Sequence, residues 1–275
     1  MTNIGARKIK GRLMLILVAV AFIIIMIPLI SMLYMIIKEG IGILSWEFLT
    51  ALPKPPGEVG GGIGNAIQGS LIIVALASMV SIPISIFAAM CISEYGGKLS
   101  MITEFIAEVL SGTPSIIAGI FIYTLIVLRI GFSALAGALA LSVLMIPTVT
   151  IASYESLKAV PRGIREAAIA LGVPKWRASL FVILRSAMVG IGTGVILGVA
   201  RIFGETAPLL FTTSLGNMYW NEGLLEPTAA LPLLIYDYAT SPYKSWQARA
   251  WGAALVLLVI VLLLNIGVRI IARKR

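Results

Sequence analysis

Histidine is absent from the 275 residues, and cysteine occurs once, at Cys91. The first absence removes the side chain that most often moves protons or binds metals near neutral pH. The second excludes an intramolecular disulfide and any multi-cysteine metal site, and Cys91, set in an apolar stretch, reads as packing. Charge is scarce too: 12% of residues are charged, against about 25% in a soluble domain. No G-x-x-x-x-G-K-[ST] occurs, because Gly97-Lys98 is followed by Leu99 and the earlier glycine is missing; the chain has no P-loop for ATP. No nucleophile–base constellation appears either. These absences predict a chain that is not itself an enzyme and calls for no cofactor and no metal.

What is present is apolar length. Hydrophobic residues make up 59% of the chain, too many for the polar remainder to cover a water-exposed globule. An all-α integral membrane protein is expected. A helix needs about 20 apolar residues to cross the hydrocarbon core. Charge-free runs of that size occupy 13–37, 59–93, 109–128 and 130–154. A fifth begins near Ser186 and reaches Phe211, and a sixth runs from Ala250 to Val268. Six transmembrane helices follow, with Arg129 alone between the third and fourth. The first run, Leu13 to Ile37, is longer than a signal-peptide core and lacks an A-x-A at its end, so it is read as an uncleaved span. Residues 1–12 form a basic tail and 13–275 a single membrane domain.

The net charge of +9 sits outside the apolar runs, the way membrane proteins set their orientation, so no nucleic-acid partner is implied. With the N-terminus inside, the inner segments hold 15 Lys and Arg and the outer ones 5. Both termini are therefore predicted to be cytoplasmic. Two outer segments are more than turns. PKPPGEVGGGIG (53–64) is too rich in proline and glycine for regular helix. Residues 212–249 carry Trp220, Tyr236, Tyr238, Tyr243 and Trp246, rings that favour the membrane–water boundary. Within it LPLLIYDYATSP (231–242) is too short to span, and reads as an interfacial or re-entrant helix or as a docking surface.

The largest inner segment, about 155–185, contains YESLKAVPRGIREAAIALGVPKWRASLFVILR. Pro161 suits a first helical turn, Gly172 suits a helix end, and Pro174 follows. Ile164, Ala167, Ala168 and Leu171 recur at helical spacing, with Arg162, Arg165 and Glu166 on other faces. A short amphipathic helix is predicted, then a turn, then a helix feeding into span five. Such a helix either lies on lipid headgroups or docks in a partner's groove.

EAAIALG (166–172) resembles the E-A-A-x-x-x-G motif in the permease subunits of bacterial ABC importers. That resemblance implies that Glu166, Ala167, Ala168 and Gly172 belong to a loop seated in a cleft of an ATP-hydrolysing subunit. The family's I-x-L-P continuation is incomplete, since Val182-Ile183-Leu184 is followed by Arg185, and no kink is assigned there. GGIGNAIQGSL (61–71), LSGTPSIIAGIF (110–121), VPRGIREAAIALGVPKWRAS (160–179) and ARIFGETAPLLF (200–211) are similar to the phosphate-specific ABC permeases. The stretch 231–257 is similar to their PstA-type subunit. The resemblance covers residue 61 to the end. It implies a type I importer permease fold in the bacterial cytoplasmic (inner) membrane. It also implies a second permease subunit (PstC-like), an ATP-binding subunit dimer (PstB-like) and a phosphate-binding protein (PstS-like), with phosphate as substrate. A permease for sulfate, molybdate or tungstate, or an ATP-independent channel, are the alternatives.

Arg201 and Glu205 stand out in an apolar run. Charges within spans mark a pathway or a helix interface by default. Four residues apart in a helix, the two would lie about 40° apart in projection and about 6 Å apart along the axis, close enough to pair. Gly190, Gly194 and Gly198 form a small-xxx-small stripe that lets another helix approach, and the charges are expected to flank it, pointing toward the protein. Three roles stay open for the pair: an internal salt bridge, a station at which Arg201 meets phosphate, or an alternating partner for the second permease subunit.

Overall fold

The computed structural model describes residues 4–58, 60–213 and 215–273. The ends of both predicted basic tails, and Val59 and Ser214 of the outer segments, lie outside the described residues. Long helices are α1 (Ile4–Ile41), α3 (Gly64–Tyr95), α6 (Ala134–Lys158), α8 (Lys175–Phe203) and α11 (Lys244–Arg273). Each contains a stretch apolar and long enough to cross a membrane. Most of the basic N-terminal tail continues α1 as helix.

The third span is where expectation and structure part. Instead of one helix over 109–128, there are two, α4 (Gly97–Ser111) and α5 (Ser115–Ile130), bent from each other by 104°. Pro114 has no N–H to continue α4 and disfavours helical backbone at the residue before it, so the chain turns at Gly112–Pro114. α5 alone rises about 24 Å at 1.5 Å per residue, and only the bent pair α4–α5 taken together adds a sixth candidate span to the five long helices. α4 buries Ser100 and Ala107 and leaves Leu99, Met101, Phe105 and Val109 exposed.

The centre is the pair α3 and α6. Ile63, Ile73, Ala77, Leu141, Met145 and Val149 interlock there and are joined by Ile202 of α8. Hydroxyls cross the interface as well: Ser85 donates to the Ile146 carbonyl at 3.0 Å and Ser142 to the Ala77 carbonyl at 3.3 Å. Such bonds supply attraction where lipid removes the hydrophobic drive between helices. α6 starts after the tight turn 131–133, in which Ser133 accepts from the Ala136 N–H at 3.2 Å as N-cap. α1 meets the body only near its end. There Gly40 admits α11 so closely that a Cβ would sit 2.8 Å from the Trp251 carbonyl oxygen.

At the end of the molecule where α3 and α6 begin, irregular chain is tied down by hydrogen bonds, as buried backbone requires. Short α2 (Trp46–Thr50) is capped by Ser45 and buries Phe48. Arg249, itself buried, donates to the carbonyls of Lys54, Glu58 and Gly60 and holds the proline- and glycine-rich loop against the start of α11. Asn65 donates to the Asn217 carbonyl at 2.7 Å, and Gln68 exchanges two bonds with Asn221. Within the outer segment, the run 231–242 forms a helix, Leu231–Thr240, that is packed into the body. Leu231 is fully buried, Leu233 nearly so, and Tyr238 stacks on Trp246 at 4.5 Å.

Candidate functional site

At the opposite end, Arg162–Ala170 forms the short helix α7 between α6 and α8. Its C-terminus closes in two reciprocal bonds, Val173 N–H to the Ala168 carbonyl at 3.2 Å and Gly172 N–H to the Ile169 carbonyl at 2.9 Å. This is the Schellman arrangement, and it needs a residue in the left-handed region after the helix. Gly172 has φ +77°, and nothing lies within 4 Å of where its Cβ would be. The glycine is thus required by conformation and not by crowding.

The apolar residues of α7 divide between two sides. Ile164 packs with Leu157, Val160, Ile183 and Ala187, and Ala168 is buried. Glu166 and Ala167 face out, and Leu171 is 83% exposed. Glu166 borders a cavity of about 510 Å³ whose lining includes Lys158, Arg162 and Lys175. The next residue back does the reverse. Arg165 turns inward, donating through Nη2 to Glu94 Oε1 at 2.9 Å and to the Leu157 carbonyl at 2.7 Å, and through Nη1 to the Val160 carbonyl at 3.1 Å. The Glu94 carboxylate is only 6% exposed and also accepts from Ser93 Oγ at 2.9 Å. Glu94 sits in a π-helical turn, Cys91–Tyr95, that ends α3. Sequence reading passed over this pair, whose members are 71 residues apart. The one local signal is that Arg165 lies about 60° around the helix from Ala168, on the side that Ile164 and Ala168 turn inward.

The intramembrane pair is arranged differently from expectation. α8 ends at Phe203 in tightened turns, Gly204 N–H to the Arg201 carbonyl and Glu205 N–H to the Ile202 carbonyl. Glu205 therefore lies beyond the helix, and the helical i, i+4 geometry does not apply. Arg201 Nε and Glu205 Oε1 stand 3.9 Å apart, an ion pair but too far for a hydrogen bond. Arg201 Nη1 donates to Thr148 Oγ1 of α6 at 2.9 Å. Its side chain is 47% exposed and that of Glu205 19%. The guanidinium reaches α6 from the rim of the α6–α8 contact, with most of its five donors uncommitted.

The glycine stripe explains how Arg201 reaches α6. A Cβ at Gly190, Gly194 or Gly198 would come within 2.5–2.7 Å of Ser156, Ala152 or Val149. The two helices thus run against each other for two turns before Arg201. At the other end of the molecule, burial pushes the Asp237 carboxyl above the usual carboxylate range. The Tyr238 phenol is also pushed up by burial, an effect partly offset by Arg249.

Residues 81–275 match the family described as binding-protein-dependent transport system inner membrane component. The phosphate transport system permease protein PstA of Yersinia pestis is 41% identical over 272 residues, covering 98% of this chain and 92% of that protein. The protein of the same name from Xylella fastidiosa (strain 9a5c) is 44% identical over 238 residues, 85% of this chain and 82% of its own length. Among solved structures, a chain of a bacterial alginate ABC transporter, in complex with an alginate pentasaccharide-bound periplasmic protein, superposes with a TM-score of 0.69. It covers 98% of this chain and 96% of its own length at 14% identity, a likeness of fold.

Proposed function

We propose a phosphate-importing role for this chain, because it belongs to the family of binding-protein-dependent transport system inner membrane components and, within it, to the PstA permeases. It is a multi-pass permease subunit of a bacterial ABC importer with the type I fold, resident in the inner membrane. The observation that carries the substrate is identity of 41% over 98% of the chain to a phosphate permease of nearly equal length.

Finer features complete the reading. The chain lines the phosphate path together with a second, PstC-like permease, receives phosphate from a PstS-like binding protein, and is driven by ATP hydrolysis on a PstB-like dimer. Of the docking motif, Glu166 and Ala167 face out and dock on that dimer together with Leu171, whereas Ala168 is turned inward and Gly172 serves as the helix cap. The exposure of Glu166, Ala167 and Leu171 beside a buried Ala168 supports this, because a helix resting on its own protein would hide its apolar ridge. With the Lys and Arg distribution placing α7 inside, both termini are cytoplasmic. Arg201 acts as a positive station for phosphate. Its half-exposed guanidinium supports this, since planar donors match phosphate oxygens. Alternating access moves packed helices as rigid bodies around that point.

The test is ATP-dependent uptake of labelled phosphate into vesicles carrying the assembled complex, with sulfate and molybdate as competitors. Competition by unlabelled phosphate alone is expected. Uptake of another oxyanion in its place would keep the permease and sink the phosphate assignment.

A further inference from the structure

α7 is held from within by one side chain. Arg165, on α7, binds the Leu157 carbonyl of α6 and the Val160 carbonyl of the short connection between the two helices, and through Glu94 the π-helical end of α3, 71 residues away. The Leu157 carbonyl lies in the last turn of α6 and the Val160 carbonyl just beyond its end, so the cation there meets the negative end of the helix dipole. Glu94 answers from the other helix with its carboxylate almost wholly buried. A π-turn places an extra residue in the helix and is frequent at functional positions; here it is the turn that carries the carboxylate. An apolar cluster of Ala89, Met90, Leu157, Val160 and Ile183 joins the same helix ends, and the ion pair itself borders the cavity that Lys158, Arg162 and Lys175 line.

From this we infer that Arg165 and Glu94 are the positioning pair that makes the docking helix move as one body with the ends of α3 and α6. Movement imposed on the exposed side of α7 then passes to the two central helices and is not absorbed at the loop. Glu166 and Leu171 touch the driver; Arg165 and Glu94 fix what is driven. The inference rests on the reading of the chain as a coupled importer.

The experiment uses the complete importer in proteoliposomes and reads phosphate transported per ATP hydrolysed, alongside the ATPase rate. Wild type must first show ATP-driven uptake; if it does not, the proposed function fails and not this pair. In Glu94→Gln, the carboxylate charge is lost while Arg165 keeps its carbonyl bonds. The transported-per-hydrolysed ratio is expected to fall by about fivefold or more, with ATP hydrolysis per assembled complex retained. A defect in folding alone would lower the amount of complex and leave that ratio unchanged. Adding Arg165→Gln to Glu94→Gln should cost no more than Arg165→Gln alone, because both remove one connection. If Arg165→Gln does not assemble, Glu94→Gln with Glu94→Asp as partial rescue carries the test. An unchanged ratio, losses that multiply in the double variant, or failure of both single variants to assemble would each overturn the inference.

Discussion

Two arginine–glutamate pairs sit at opposite ends of α8 and are built to opposite standards. Arg165 and Glu94 are 2.9 Å apart and largely hidden, and the Leu157 and Val160 carbonyls take two more of the guanidinium's donors. Arg201 and Glu205 are 3.9 Å apart on an open rim, with a single side-chain hydrogen bond to Thr148. A largely buried pair held by several hydrogen bonds keeps its position, because losing either member strands the other. An exposed, stretched pair contributes little to stability. Its charges are free to meet something else. The first pair is built to hold position; the second leaves its guanidinium available, which is what the proposed phosphate station requires.

Substitutions can break that contrast in order of expected effect. Gly198→Leu strikes the packing under the loose pair: with Val149 2.7 Å from the would-be Cβ, α8 must leave α6 and Arg201 must lose Thr148. A cost of about 3 kcal/mol is expected, read as a collapse in the yield of assembled complex in detergent. Normal yield would show that the stripe has room the structure denies it. Glu94→Ala removes one member of the tight pair and leaves Arg165 partly buried. The expected loss is about 2–3 kcal/mol, somewhat below that for a fully buried pair because Arg165 is 23% exposed, and it should appear as a lower thermal midpoint. Gly172→Ala forces a side chain into left-handed backbone for about 1 kcal/mol, and since open space surrounds the position, spans should survive while coupled uptake drops. Arg201→Gln should change stability by less than about 0.5 kcal/mol and yet reduce phosphate uptake. If it abolishes assembly instead, the loose pair is structural and the contrast fails.

Much of this was legible in the chain. Span positions follow from apolar length alone, and α7 from Pro161, Gly172 and Pro174, which act over a few residues. The bend at Gly112–Pro114 was not, because apolar residues continue on both sides of it and hydropathy has no direction. The end of α8 was missed for a related reason: Gly204 looks like one more member of a glycine-rich helix until the backbone is seen. Leu231–Thr240 reads from its length and aromatics as interfacial, re-entrant or docking, and nothing in the run itself announces that Leu231 and Leu233 are buried against the body. Partnership across distance was the largest gap. Nothing near Glu94 announces Arg165, and nothing near Arg249 announces the three carbonyls it holds. Such contacts depend on which helix ends the fold brings together.

The glycine cap on α7 has a mechanical consequence. Arg165 fixes the helix near its first turn, and Leu171 stands at its far tip, six residues or about 9 Å along the axis. The reciprocal bonds at Gly172 keep that tip from fraying, so the segment is a stiff lever arm, clamped at one end and free at the other. On the inferred coupling, a sideways push of a few ångströms on Leu171 is carried along that arm to the clamp, and so to the ends of α3 and α6 together.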